Sequence, residues 1–286
     1  MKTVSTVAEL REQVLAAKQS GKKVGFVPTM GNLHNGHMTL VDHAVQACDF
    51  VVASIFVNPL QFNDKSDLSR YPRTLEQDSE LLIQHKCDLL FAPTVDEMYP
   101  NGQDSQSIVS VPEVSMGLCG GARPGHFDGV ATVVTKLFNM VLPDQAFFGE
   151  KDFQQLAVIR KMVADLCIPV EVTGVPTVRS ANGLALSSRN GYLSEQELEQ
   201  AVQISVSLKQ LITDMQNGVK QEDAKAKAVQ HLANVGFTLD YLEVYRSADL
   251  KPATTEDTNL VVLVAAFLGP ARLIDNMSFS LNTNID

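Results

Sequence analysis

Five short apolar runs, alternating with segments of helical periodicity, most constrain how this chain can fold. They are rich in β-branched and aromatic residues and cover Val24 to Val27, Phe50 to Val57, Asp88 to Phe91, Gln145 to Phe148 and Pro169 to Val175. Runs that are apolar on both faces are typical of buried parallel strands. Parallel neighbours need crossover connections, which the intervening helices would supply. The pattern therefore predicts an α/β domain built on a parallel sheet.

Helix start signals lie between these runs. Thr6 with Glu9 forms a capping-box pattern, and Thr74 with Gln77 starts another helix. The least regular stretch, Pro93 to Gly125, is rich in Gly, Pro and Ser. It is either a connection over the surface or a lid on a site.

After Pro176 the order of elements changes. Ser194 with Glu197 caps a helix that is predicted to reach about Met215, and a second helix follows to about Gly236. Three strand-like runs come next without a crossover helix, namely Leu239 to Arg246, Leu260 to Leu268 and Arg272 to Leu281. This order predicts a smaller C-terminal α+β domain. We therefore expect domains at residues 1–176 and 177–286.

Charge excludes one class of partner. With 23 Lys and Arg against 33 Asp and Glu, the 286-residue chain has a formal net charge of -10. A groove for nucleic acid would need a basic stripe on this acidic background, and the densest cationic stretches are only pairs. We expect no nucleic acid partner.

Membrane and secretion signals are also missing from the sequence. The longest apolar run has about half of the roughly 20 residues that a membrane-spanning helix needs. Residues 1–15 alternate charged and apolar positions, unlike a signal peptide. Four cysteines lie far apart with no C-x-x-C pair, which is typical of reduced thiols. We expect a cytoplasmic protein with no membrane partner.

The turn after the first strand run carries two glycines and two histidines. Its residues are Met30, Gly31, Asn32, Leu33, His34, Asn35, Gly36 and His37. Such turns lie at the carboxyl ends of strands, where ligands bind. Glycines let the backbone approach a phosphate, and the following helix offers N–H groups and a partial positive charge. We expect a nucleotide triphosphate site, although neither a Walker loop nor a dinucleotide fingerprint is present. A two-histidine metal site without a third ligand, or plain helix-capping histidines, are the alternatives.

Two later strand ends carry polar residues. Asn58 and Gln61 follow the second run, so their amides are expected at the same edge of the sheet, where they can bind a carboxylate or hydroxyl. Gly149 turns the chain after a later run, Lys151 can point at a phosphate, and Asp152 takes an N-cap position. A plain turn at the first strand end and a capped helix with a solvated lysine at the second are the alternatives.

Three further sets of polar residues each have two possible roles. Ser187, Ser188 and Arg189 follow a predicted turn and suit β and γ phosphates, or form a polar linker. His126 begins a helix beside Arg123, and either reaches substrate or caps its own helix. The Asp78 and Asp88 carboxylates are expected in solvent rather than on Mg²⁺, which nucleotide phosphates and water usually hold.

Five motifs together make the chain recognisable. Val27 to His37 (V-P-T-M-G-x-L-H-x-G-H) resembles the H-x-G-H nucleotidyltransferase superfamily and, within it, the pantothenate synthetase (pantoate–β-alanine ligase) family. The other motifs, in the family's order, are Ile55 to Phe62, Tyr71 to Thr74, Phe148 to Gln155 and Leu184 to Asn190. Val264 to Asn276 also looks similar. The resemblance implies a Rossmann-like parallel-sheet nucleotidyltransferase domain followed by a smaller C-terminal lid domain.

The resemblance implies an activity and its substrates. ATP, (R)-pantoate and β-alanine would give pantothenate, AMP and pyrophosphate through a pantoyl adenylate. It also implies Mg²⁺ with the ATP, and a homodimer. A transferase that stops at a nucleotidylate, or a nucleotide-binding regulatory module without turnover, are the competing functions.

The family's roles carry over onto matching positions. His34, His37, Lys151 and Arg189 would act catalytically as preorganised cations. ATP contacts would come from the 30–37 turn and, later in the chain, from Gly149, Glu150, Lys151, Asp152, Val178, Leu186, Ser187, Ser188 and Arg189. Gln61 and Gln155 would hold pantoate, and Asn58 and His126 are further substrate-binding candidates. Arg123 and Arg179 are expected to add positive potential at the same cleft.

Overall fold

The computed structural model describes residues 1–63 and 65–281. The chain forms two compact units. The first comprises Met1–Glu150 and Gln154–Pro176, and the second comprises Lys151–Phe153 and Thr177–Asp286.

A six-stranded sheet forms the centre of the first unit. Its strands are β1 (Lys2–Val4), β2 (Val24–Thr29), β3 (Phe50–Ile55), β4 (Leu89–Phe91), β5 (Gln145–Gly149) and β6 (Glu171–Val175). They lie in the order β1-β4-β3-β2-β5-β6, and each neighbouring pair is parallel. The predicted parallel sheet is confirmed. The sequence pattern does not predict β1, because this three-residue edge strand buries just one side chain, Val4.

Helices connect the strands. They are α1 (Val7–Gln19), α2 (Asn35–Ala47), α3 (Lys65–Arg70), α4 (Leu75–Gln84), α5 (Val95–Met98), α6 (Leu118–Ala122), α7 (His126–Val141) and α8 (Phe153–Asp165). Val41 of α2 and Leu82 of α4 pack in one cluster with Val27 of β2. On the other face of the sheet, the Phe138 ring of α7 lies edge-on to Phe26 and Phe148, each 6.3 Å away. The sheet is therefore covered on both faces, as its apolar strands require.

The two helix starts predicted in the first unit are capped in different ways. Thr6 and Glu9 form the predicted capping box at the start of α1. Thr74 precedes α4 as predicted, yet its side chain caps no backbone N–H and instead donates to the Asp78 carboxylate at 3.2 Å. The hydrogen bond from the Thr74 hydroxyl to the Asp78 carboxylate therefore replaces the predicted N-cap hydrogen bond.

A buried amide holds part of the irregular stretch 93–125. The Gln154 Oε1 accepts from the Cys119 backbone N–H at 3.0 Å, and its Nε2 donates to the carbonyls of Val114, Met116 and Gly117. Gln154 is buried, so these bonds satisfy its amide without water. The segment 114–119 is thereby tied to the first turn of α8.

The second unit combines three helices with a three-stranded sheet. The helices are α9 (Glu195–Ala201), α10 (Gln203–Gln216) and α11 (Gln221–Asn234), and the strands are β7 (Thr238–Arg246), β8 (Asn259–Leu268) and β9 (Ala271–Ser280). Both strand pairs are antiparallel with β8 central, which confirms the α+β prediction. Ser194 and Glu197 form the predicted capping box, but the predicted single helix is broken at Val202. Leu208, Leu232 and Val262 share one apolar core.

Phe138 tests the packing of the first unit. Phe138→Ala is expected to lower the free energy of unfolding by about 3–5 kcal/mol, because it removes a fully buried ring and leaves a cavity between Phe26 and Phe148. Urea unfolding followed by circular dichroism measures the loss. Leu15→Ala, at a half-exposed leucine on α1, should change it by less than about 1 kcal/mol. Equal losses in the two variants would contradict this packing.

Candidate active site

The 30–37 turn lies where the strand order reverses. The chain leaves β2 for β3 on one side, whereas β5 pairs with β2 on the other. In open parallel sheets, ligands bind at the carboxyl ends of the strands at this point. Met30 to His37 follow β2, and Glu150 follows Gly149, the last residue of β5, so both segments lie at this edge.

The two histidines of the turn bind its backbone. His34 is the N-cap of α2, and its Nδ1 accepts the Gly36 N–H at 3.1 Å. The His37 Nδ1 accepts the His34 N–H at 3.3 Å, which completes a capping box made from imidazoles. The rings lie 4.1 Å apart. Because each Nδ1 accepts a hydrogen bond, each neutral ring carries its proton on Nε2 and presents that nitrogen as a donor. With this hydrogen-bond pattern, each ring offers its Nε2–H group as the donor that a phosphate oxygen can accept.

The Asp78 carboxylate lies behind this turn. Its Oδ2 accepts the Asn32 N–H at 2.9 Å, and its Oδ1 accepts the Leu33 N–H at 2.8 Å. Asp78 is 1% exposed. The expectation that it is solvated is wrong, because the helix α4 that carries it packs this residue against the turn. The Asp88 residue is exposed, as expected.

Asn58 and Gln61 form one hydrogen-bonded pair after β3. Both are buried, and the Asn58 Nδ2 donates to the Gln61 Oε1 at 3.2 Å and to the Gly129 carbonyl at 3.0 Å. The Asn58 Oδ1 accepts from the Tyr99 hydroxyl at 2.7 Å. Burial raises the pKa of Tyr99 well above its ordinary value, so this hydroxyl remains a donor. Asn58 therefore holds the Gln61 amide, and its own amide hydrogens are both used within the protein.

Gln61 links this pair to the 30–37 turn. Its Nε2 lies 2.8 Å from the Met30 Sδ. The sequence predicted that these two segments share an edge of the sheet, and the structure brings their side chains into contact.

His126 supports Gln61 from the start of α7. Its Nδ1 lies 2.8 Å from the Gln61 carbonyl oxygen, and its Nε2 lies 3.1 Å from the Arg123 Nη1. A carbonyl can only accept and a guanidinium can only donate, so Nδ1 carries the proton and Nε2 accepts. Arg123 also donates to the Gln61 carbonyl at 3.3 Å. Both side chains therefore brace the Gln61 backbone, an arrangement that neither sequence-based alternative for His126 contained.

Gln155 follows Gln154 on α8. It is half-buried, and its amide makes no hydrogen bond within the described part of the chain. The amide of Gln154, in contrast, is fully used by the 114–119 segment. Of the two adjacent glutamines, Gln155 is thus the one whose amide a ligand can bind.

Lys151 is held by β9 within the second unit. Its carbonyl accepts from the Asn276 Nδ2 at 2.8 Å, and its Nζ lies 3.9 Å from the Asp152 Oδ1. Asn276 is buried, and the sequence pattern predicts no role for it. The sequence signal that could have indicated a role for Asn276 is the segment Val264 to Asn276, which looks similar to the family and ends at this residue.

Arg179 makes an ion pair instead of adding positive potential. Its Nη1 and Nη2 donate to the two Asp275 carboxylate oxygens at 2.7 and 2.8 Å. The Asp275 side chain is 4% exposed, so this bidentate pair neutralises the guanidinium inside the protein. The expectation that Arg179 contributes net charge to a cleft is wrong. Arg189, in contrast, forms no ion pair among residues 1–63 and 65–281.

Predicted adenine and phosphate residues are neighbours in the second unit. The Leu186 N–H donates to the Val178 carbonyl at 3.0 Å, which brings these two apolar residues together. Ser187 follows directly and caps a short 3₁₀ turn by accepting the Arg189 N–H at 3.2 Å. The Ser187 hydroxyl and the Arg189 backbone are therefore held together by a local hydrogen bond.

Comparison with known proteins decides the family. The model of the Pantoate-beta-alanine ligase family matches residues 2–278. This chain belongs to the pantoate–β-alanine ligase family. Pantothenate synthetases from Pseudomonas fluorescens Pf0-1 and Pseudomonas aeruginosa PAO1 are 58% and 57% identical to it, over 99% of this chain and 99% and 100% of theirs.

Solved structures agree with this assignment. Pantothenate synthetase from Thermus thermophilus superposes with a TM-score of 0.91 at 48% identity, covering 97% of this chain and 99% of that one. Pantoate-beta-alanine ligase from Francisella tularensis, complexed with β-γ ATP and β-alanine, gives a TM-score of 0.80 at 34% identity and 97% coverage of both chains. The resemblance found in the sequence is confirmed, and the chain is a ligase that joins pantoate to β-alanine.

Gly129 tests the positioning of the Gln61 segment in this ligase. A Cβ on Gly129 would lie 2.4 Å from the Leu60 carbonyl oxygen and 2.8 Å from the Gln61 nitrogen. Gly129→Ala should therefore shift the segment and lower kcat/KM for pantoate by roughly 10- to 100-fold, although alanine favours helices. Steady-state kinetics with varied pantoate measures the effect.

Gly121→Ala is the matched control. It also adds a methyl group to a helical glycine, but no neighbour lies within 4 Å of the added Cβ. Its kcat/KM should stay at the wild-type value. Wild-type kinetics in Gly129→Ala would contradict the close approach of α7 to the Gln61 segment.

Proposed function

We propose that this ligase activates (R)-pantoate with ATP and transfers the pantoyl group to β-alanine, in the biosynthesis of vitamin B5 and coenzyme A. The observation that carries the proposal is the contact between Gln61 and Met30. It joins an amide suited to a carboxylate or hydroxyl to a turn whose imidazole Nε2–H groups suit phosphate. The relative from Francisella tularensis binds β-γ ATP and β-alanine, which supports the same substrates here.

The reaction has two steps. A pantoate carboxylate oxygen attacks the α-phosphorus of ATP, the bond between this phosphorus and the α–β bridging oxygen breaks, and pyrophosphate leaves. The β-alanine amine then attacks the acyl carbon of the adenylate. The acyl C–O bond breaks, AMP leaves with the oxygen that came from the pantoate carboxylate, and the nitrogen loses a proton. Negative charge develops on the phosphate oxygens in the first step, so preorganised donors and cations lower its barrier.

The chain's residues divide this work. His34 and His37 would donate from Nε2 to phosphate oxygens, and Lys151 and Arg189 would supply positive charge. Gln61 and Gln155 would orient pantoate. Asn58 and His126, candidates for substrate contact, would act by holding Gln61, since their polar atoms already bond to the protein.

The remaining ATP contacts would come from several segments of the chain. The backbone of residues 30–37, with Gly149 and Glu150, would contact ATP. Asp152, the apolar pair Val178 and Leu186, and the hydroxyls of Ser187 and Ser188 would do so as well. We propose residues 1–176 as the catalytic domain and residues 177–286 as a lid domain, with Ser187–Arg189 at its hinge.

Mg²⁺ would accompany ATP without a ligand set of its own. No cluster of three or more His, Cys, Asp or Glu side chains suited to a metal occurs in the described ranges. The residues therefore do not fit a protein-held ion, and the phosphates with water would bind Mg²⁺.

Location and assembly complete the proposal. Within the described residues, no helix has the length and apolarity to cross a membrane. All four cysteines are thiols rather than disulfides, as is usual in a reducing cytoplasm where ATP is available. A homodimer is the assembly implied by the family, and light scattering after size-exclusion chromatography would measure it.

Exchange of labelled pyrophosphate into ATP tests the first step. Lys151→Ala and His37→Ala should each reduce pantoate-dependent exchange by roughly 10²- to 10³-fold, because each removes one group that stabilises developing charge. Lys161→Ala and His43→Ala are matched controls at a lysine paired with Asp165 and at an exposed histidine of α2, and should retain full exchange. Wild-type exchange in Lys151→Ala or His37→Ala would remove that residue from the mechanism.

A further inference from the structure

Asp78 is a buried carboxylate whose hydrogen bonds converge on one turn. Its Oδ2 lies 2.9 Å from the Asn32 nitrogen and its Oδ1 lies 2.8 Å from the Leu33 nitrogen. The Thr74 hydroxyl donates to Oδ2 at 3.2 Å. Asp78 is 1% exposed, and burying a carboxylate costs free energy unless the group is hydrogen-bonded. These three donors therefore account for its burial.

The backbone of the turn needs this partner. Gly31 and Asn32 have φ values of 82° and 51°, in the left-handed region that favours glycine and that asparagine adopts more often than most other residues. The conformation aims the N–H groups of Asn32 and Leu33 at Asp78. A Cβ on Gly31 would lie 3.0 Å from the Asp78 Oδ2, so the glycine also gives the carboxylate room.

The two bonded amides immediately precede the histidines. Leu33 is followed by His34, the N-cap of α2, whose own N–H donates to the His37 ring. Displacing the Leu33 amide would therefore move the backbone that orients both imidazoles. A group that touches no substrate can in this way control where the phosphate donors point.

We propose that Asp78 is a positioning residue for phosphate binding: it fixes the amides of Asn32 and Leu33 and thereby the Nε2 donors of His34 and His37. This rests on the proposed ATP site at the turn. It differs from direct binding of Mg²⁺ by Asp78, because both carboxylate oxygens already accept backbone hydrogen bonds.

Asp78→Asn provides the main test. The amide offers one acceptor oxygen in place of two and turns an NH₂ group toward a backbone N–H. We expect the Kd of an ATP analogue with a non-cleavable β-γ bridge, measured by calorimetry, to rise by about tenfold or more. In the complete reaction, KM for ATP should rise while KM for β-alanine stays within about twofold, a split that general destabilisation would not produce.

Asp88→Asn is the matched control. The Asp88 Oδ2 also accepts a backbone N–H, that of Val51 at 2.8 Å, but at the amino end of β3. This variant should bind the analogue with wild-type affinity. Thr74→Val removes the third donor to Asp78 and should weaken analogue binding by about threefold, which decides the matter if Asp78→Asn does not fold.

Three results would overturn the inference. The first is wild-type affinity for the analogue in a folded Asp78→Asn variant. The second, if Asp78→Asn does not fold, is unchanged affinity in Thr74→Val. The third is recovery of affinity in Asp78→Asn when the Mg²⁺ concentration is raised, since recovery would indicate that Asp78 is a metal ligand. Failure of the proposed function gives a different result, because the wild-type enzyme would then show no pantoate-dependent pyrophosphate exchange.

Discussion

The reversal of strand order between β2 and β5 is the constraint on which the site depends. Parallel strands end at one edge of the sheet, and the crossovers on either side of the reversal leave that edge uncovered between them. Met30–His37 and Gly149 with Glu150 lie at this edge because β2 and β5 are neighbours. The apolar runs that bury the sheet therefore also determine where the polar chemistry lies.

Buried polar side chains then hold the loops at this edge in place. Asp78, Asn58, His126 and Gln154 each accept from or donate to backbone groups of a segment far away in the chain. Each satisfies its own polar atoms while it fixes a turn, which is how a loop can be as precise as a strand. The side chains proposed to meet substrate, Gln61 and the two histidines, are in turn held by these residues or by their own backbone.

Much of this architecture follows from patterns in the sequence. Apolar strand runs and capping boxes are local signals, and they predicted the parallel sheet, the α+β unit and the start of α9. The strand β1 and the break at Val202 were missed, because β1 has no apolar run and the apolar spacing of residues 194–215 continues across the break. The motifs also located the turn, the amides and the phosphate-suited residues.

Partners that depend on tertiary packing were beyond the sequence. Nothing near Asp78 in the chain indicates that α4 turns it toward the amides of Asn32 and Leu33. Arg179 gave no sign of its pairing with Asp275, nearly a hundred residues later. The tautomers of His34, His37 and His126 likewise follow from which atom each nitrogen faces, and a motif does not contain that information.

Transfer of oxygen from pantoate to AMP distinguishes attack of the pantoate carboxylate on ATP from other routes to pantothenate. Pantoate labelled with ¹⁸O in its carboxylate is incubated with ATP, β-alanine and the enzyme, and the AMP is examined by mass spectrometry. Attack of the carboxylate on the α-phosphorus predicts one ¹⁸O atom in each AMP. Unlabelled AMP, formed together with pantothenate, would contradict an adenylate built at this site.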